Sequence, residues 1–226
     1  MKYSEIFYSI QGEGQLIGYP SVFFRTSYCN LRCIWCDTPY TSWEPEDKDI
    51  SVEDAVDAIL AHNCKQVVIT GGEPFMQSKD LTILCRRLRQ NGKHITIETN
   101  GTLFEKVEAD LLSISPKLEN SNPSEFNHHF KQHQRNRINQ PVLRQFLDYY
   151  SCQLKFVVET ERDLFEIHQL EREMQIPASI IVLMPQGITN NQIQEKQNWI
   201  VETCKKYGYR YSPRLHVDIW GDTRGT

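Results

Sequence analysis

The feature that most constrains the fold is an alternation repeated down the chain: a short apolar run, a polar turn, then a stretch with helical periodicity. "SVFFRTS" (21–27) reads as a strand. "SVEDAVDAILAHN" (51–63) has a serine N-cap and apolar residues at Val52, Ala55, Val56 and Ile59, and "QVVITGG" (66–72) is a strand running into glycines. Strand, helix and strand in succession make a parallel sheet, because parallel neighbours need a crossover between them. The spacing continues with a helix over 80–92 closed by Gly92, a strand over 94–101 and apolar runs at 109–117 and 152–160. A helix from about Arg162 to Met174, an apolar run at 178–187 and a long helix over 190–208 complete it. About six strands are too few for a closed eightfold barrel of ~250 residues. The expected fold is therefore α/β, a partial, open βα barrel of about six mostly parallel strands.

A length of 226 residues suits one core, and neither a repeat nor a linker divides the chain, so residues 1–226 read as a single domain. One segment breaks the alternation. "LENSNPSEFNHHFKQHQRNRINQ" (118–140) is polar, holds three of the seven histidines and lacks apolar periodicity. It reads as a solvated insert loop, with a lid over an active site as the alternative. With 25 Lys+Arg against 29 Asp+Glu the net charge is only -4, which gives no support to a direct nucleic-acid partner. The N-terminal "MKYSEIFYSIQGEG" lacks a secretion pattern, and no apolar run approaches the ~18 residues of a membrane span. A cytoplasmic protein with no membrane association is expected.

"CNLRCIWCDT" (29–38) places three of the seven cysteines in a Cys29-x3-Cys33-x2-Cys36 spacing. A disulfide fragment is disfavoured in a reducing cytosol. A structural zinc site would need a second Cys or His pair, and Cys64, Cys85, Cys152 and Cys204 supply no C-x2-C; they read as small buried hydrophobes. Three thiolates alone leave one metal position open, as in an iron–sulfur cluster with one iron that no protein group binds. "VVITGGEP" (67–74) follows as an apolar strand ending in Gly71 and Gly72, residues that let backbone approach a ligand closely, then Pro74. Other strand ends would gather at the same place, and Glu98 and Lys155 stand out as charges inside apolar strands.

The triplet, with an aromatic before its last cysteine, resembles the signature of the radical S-adenosylmethionine (SAM) superfamily. The resemblance implies a 4Fe-4S cluster on Cys29, Cys33 and Cys36, with SAM on the open iron. It also implies reductive cleavage of SAM to a radical that abstracts hydrogen from substrate. The GGEP stretch matches the part of that pattern that holds the methionine amino group.

A longer stretch, "EIFYSIQGEGQLIGYPSVFFRTSYCNLRCIWCDTPY" (5–40), together with "HVDIWG" (216–221), closely resembles the 7-carboxy-7-deazaguanine synthase (QueE) family over nearly the whole chain. That resemblance implies a ring-contracting lyase. It would convert 6-carboxy-5,6,7,8-tetrahydropterin to 7-carboxy-7-deazaguanine with loss of ammonia, on the route to queuosine and other deazapurines, with SAM regenerated. It assigns the substrate to Ile10, Gln11, Gly12, Glu13, Arg25, Thr70, Glu98, His216 and the terminal Thr226. SAM falls to Gly72, to Ser115, Pro116 and Lys117, and to Gln153, Leu154, Lys155 and Phe156. Thr38 is the implied Mg2+ ligand, with substrate oxygens and water completing a hard-cation shell. Arg25 on its strand suits a bidentate contact to a pterin carboxylate, and Glu13 suits the ring N–H groups. The implied partners are an electron donor such as flavodoxin or ferredoxin and a second copy in a homodimer. The competing functions are another radical SAM enzyme, such as a glycyl-radical activating enzyme, and a non-catalytic iron–sulfur or zinc module.

Overall fold

The computed structural model describes residues 1–226. Nine strands form one open sheet: β1 (Lys2–Ile10), β2 (Pro20–Thr26), β3 (Lys48–Asp49), β4 (Gln66–Gly71), β5 (His94–Thr99), β6 (Leu111–Ile114), β7 (Cys152–Val158), β8 (Ile181–Pro185) and β9 (Arg210–Tyr211). Their order is β3-β1-β2-β4-β5-β6-β7-β8-β9. From β2 to β9 every pairing is parallel, whereas β1 pairs antiparallel with both β2 and β3. The expected parallel run is therefore present and the sheet stays open. The additional strands are β1, β3 and β9: β3 and β9 are too short to show a period, and Ser4, Glu5 and Ser9 interrupt the apolar character of β1.

The helices are α1 (Val52–Leu60), α2 (Ser78–Gln90), α3 (Phe130–Asn136), α4 (Gln140–Tyr149), α5 (Asp163–Met174), α6 (Asn190–Tyr207) and α7 (Leu215–Trp220). Ser51 caps α1 by accepting from the Asp54 amide, and Thr189 with Gln192 forms a capping box on α6. No helix is long and apolar enough to cross a membrane. The insert at 118–140 is ordered into a short helical turn, Glu119–Ser121, and then α3, which corrects its reading as a loop, while most of its residues stay exposed or half-buried as expected.

Alternation along the strands positions the site. Val22 and Phe24, Val67 and Ile69, Ile95 and Ile97, Leu112 and Ile114, Leu154 and Phe156, and Ile181 and Leu183 all enter one apolar core. Their immediate neighbours project from the opposite face, as a period of two requires. That face presents Arg25, Thr70, Glu98, Ser113 and Lys155 to a cavity of about 490 Å³. One face of the sheet thus builds the core and the other a polar chamber.

Candidate active site

The loop after β2 is shaped by contacts with other segments. Tyr28 adopts the left-handed conformation (φ 73°), uncommon outside glycine, and turns the chain just before Cys29. Its carbonyl accepts from the Glu73 amide at 2.8 Å, while the Gly72 amide donates to the Thr26 carbonyl at 3.1 Å. A Cβ on Gly72 would stand 2.1 Å from the Tyr28 carbonyl oxygen. Gly72 does line the cavity, but its missing side chain makes room for the chain's own backbone, a revision of the ligand-approach reading. Beneath this junction the fully buried Glu73 carboxylate accepts from the Asn100 and Phe75 amides and the Thr99 hydroxyl at 2.7–3.1 Å. Burial pushes Glu73 up to about 7, against the pull of those donors.

All three thiols of the triplet open on the cavity. Cys29 Sγ lies 3.4 Å from the Leu31 amide and 3.8 Å from Asn100 Nδ2; Cys36 Sγ lies 3.2 Å from Ser42 Oγ and 3.8 Å from Thr38 Oγ1. Trp43 Nε1 donates to the Cys33 carbonyl at 2.9 Å. Burial pushes the Cys29 thiol up to about 11 and the Cys33 thiol up to about 12. Both are therefore neutral without metal, and loading displaces their protons. No three metal-binding side chains converge on a single ion position, which does not suit a zinc ion. Three thiols at separate points around one chamber suit a cluster with an open iron. The other four cysteines are buried free thiols.

The insert braces this loop. The Arg32 amide donates to His133 Nδ1 at 2.9 Å, so His133 Nε2 carries the proton and donates to Ser121 Oγ at 3.0 Å. The Ser121 hydroxyl in turn donates to the Leu118 carbonyl at 2.6 Å. The Ser121 carbonyl accepts from the Ile34 amide, and the Asn120 carbonyl from Trp35 Nε1.

Across the cavity lies a buried charge network. Glu13 pairs with Lys155 through one oxygen and with Arg214 Nε at 3.0 Å through the other. Burial pushes Glu13 up, yet Lys155 and Arg214 overcome it and hold the carboxyl well below the usual range. Arg214 also reaches Asp37 at 2.5 Å and the Gly187 carbonyl, so one side chain ties the QGEG turn, the cysteine loop and the loop after β8 together. Glu98 accepts from Gln11 Nε2 at 3.1 Å and Thr70 Oγ1 at 2.9 Å, with Lys155 Nζ 3.9 Å away. His216 lies over Gly12, where a Cβ would meet its Nδ1 at 2.0 Å, and burial pushes this imidazole below its ordinary value.

The structure brings the sequence-assigned residues to this one cavity except for four. Leu154 and Phe156 point into the core, on the wrong face of β7 for a side-chain contact. Gln153 faces inward but is spent on Ser113 Oγ and the Gln15 amide, and Pro116 is buried behind Ser115 and Lys117. Lys117 Nζ donates to Ser115 Oγ at 2.7 Å. Sequence reasoning missed Arg214, although it stands two residues before His216, and missed Glu5, Tyr40 and Arg224. Nothing local marks these residues, because their partners are distant in sequence.

Residues 23–200 match the Radical SAM superfamily, and the chain belongs to it. Proteins named 7-carboxy-7-deazaguanine synthase from Halobacterium salinarum and Rhodopirellula baltica are 41% and 42% identical to it. Each alignment spans 99% of this chain, and 91% and 88% of the respective relative. The crystal structure of QueE from Escherichia coli superposes with a TM-score of 0.71 at 26% identity, covering 95% of this chain and 93% of its own. Within the superfamily, the chain is a member of the 7-carboxy-7-deazaguanine synthase family.

Proposed function

We infer that the chain is a radical SAM carbon–nitrogen lyase that converts 6-carboxy-5,6,7,8-tetrahydropterin to 7-carboxy-7-deazaguanine and ammonia, in 7-deazapurine and queuosine biosynthesis. The observation that carries this reading is the meeting of the three-thiol loop with Arg25, Glu98 and Lys155 in one cavity. The product differs from the substrate by one ammonia, so no net oxidant is needed.

When bound, a 4Fe-4S cluster on Cys29, Cys33 and Cys36 together with SAM supplies a radical able to take hydrogen from a C–H bond. The chain's own residues bind and orient. Arg25 offers its terminal amino groups to the substrate carboxylate, as a planar fork suits. Glu98, less committed than Glu13, accepts from ring N–H groups. Gly72, Ser115, Lys117 and Lys155 line the part of the site assigned to SAM. Thr38, which lines the cavity, would hold Mg2+ through its hydroxyl oxygen, a donor suited to a hard cation; Asp37 is held by Arg214. Residues 1–226 act as one catalytic domain. Reduction by a flavodoxin or ferredoxin, a homodimeric state and a cytoplasmic location complete the proposal.

The test is anaerobic turnover. Reconstituted, reduced protein given SAM, Mg2+ and the carboxylated tetrahydropterin should release ammonia and form the deazaguanine. Cleavage of SAM with no deazapurine would assign a different substrate.

A further inference from the structure

Glu5 does not line the cavity, yet it contacts Arg25, which does. It stands directly opposite Arg25 in the antiparallel pairing of β1 with β2, just after a register shift between Tyr3 and Glu5. Its Oε1 accepts from Arg25 Nε at 2.6 Å and from the Tyr40 hydroxyl at 3.1 Å; its Oε2 accepts from Arg224 Nε at 2.9 Å. Arg224 is itself fixed by Glu46 at 2.6 and 2.8 Å and by Ser4 Oγ at 2.9 Å, with its guanidinium 4.1 Å from the centre of the Tyr40 ring. Apart from Arg25, Glu5 is thus held by Tyr40 and Arg224, which fix the carboxylate against which Arg25 is oriented.

Arg25 uses only Nε in this contact. Nη1 and Nη2 donate to no protein acceptor, and the guanidinium lies 5.7 Å from the centre of the Phe7 ring, which is stacked on Phe23. A planar fork fixed at Nε and supported on one side by a ring leaves its two terminal amino groups aimed as a pair. We propose that Glu5 is a positioning residue for substrate specificity, orienting Arg25 so that its terminal amino groups select a carboxylate on the bound heterocycle.

This inference rests on the reading of Arg25 as the substrate's carboxylate partner, and it makes a prediction opposite in sign to simple electrostatics. As a nearby anion alone, Glu5 would repel a carboxylate ligand, and neutralising it would tighten binding. As the group that aims Arg25, its loss weakens binding, because the freed side chain must be ordered again each time.

Equilibrium binding of 6-carboxypterin and of unsubstituted pterin, followed by pterin fluorescence on the cluster-loaded protein, separates these cases without turnover. Glu5→Ala should weaken 6-carboxypterin binding about tenfold, the scale of a hydrogen bond to a charged group, and leave pterin binding unchanged. Glu5→Gln keeps an acceptor for Arg25 Nε and should restore most of the carboxylate preference; it also serves if the alanine variant folds poorly. Unchanged 6-carboxypterin binding in Glu5→Ala, tighter binding in either variant, or equal weakening of both ligands overturns the proposal. Arg25→Ala is the control: if it leaves the carboxylate preference intact, the assignment of Arg25 itself fails, a result distinct from failure of Glu5 alone.

Discussion

Replacing His133 with glutamine tests whether the insert holds the cysteine loop. Burial, then Arg137 and Lys117, push this imidazole from 6.5 down to about 4. It is 1% exposed, and its Nδ1 must stay unprotonated to accept from the Arg32 amide. A histidine depressed in this way contributes stability that is complete above about 6.5 and is lost as the pH falls through about 4. The interval between those values, at about 1.4 kcal/mol per pH unit, amounts to about 3 kcal/mol. At pH 7, His133→Gln should lower stability by about 1–3 kcal/mol, because the Arg32 amide and Ser121 lose a buried partner. Near pH 4 the gap should have closed or reversed in sign, because only the wild type carries the histidine's loss. Urea unfolding of metal-free, reduced protein at a series of pH values reads this directly. A wild-type minus variant gap that stays constant from pH 7 to 4 would refute the buried neutral histidine, and with it the brace.

Two further substitutions probe the charge network and the QGEG turn. Lys155→Met leaves the Glu13 carboxylate with Arg214 as its only close cation, and should lower the urea-unfolding free energy by about 3–5 kcal/mol, the cost of breaking a buried pair; an unchanged midpoint would contradict the pairing. Gly12→Ala drives a Cβ into His216 Nδ1 and should lower stability by about 1–3 kcal/mol. It should also raise the KM for the pterin, and normal kinetics would show that His216 does not need to rest against Gly12.

Much of the chamber was legible because period-two alternation and strand-end motifs are local signals. Reading β7 through the same period would also have sent Leu154 and Phe156 to the core, leaving Lys155 inward. What stayed hidden was long-range. Arg214 and Asp37 are 177 residues apart in sequence, and Arg224 and Glu5 are 219 apart. No propensity or spacing connects such pairs; only the folding of distant loops onto one another does. The insert was misread for a related reason. Its polar residues pack against the cysteine loop through hydrogen bonds, which leave no apolar stripe to count.

The decisive measurement is the ratio of 7-carboxy-7-deazaguanine formed to SAM consumed under anaerobic turnover. A redox-neutral contraction that regenerates SAM should give many product molecules, and as many ammonia molecules, for each SAM lost. One SAM consumed per product, or SAM cleavage without product, would contradict it.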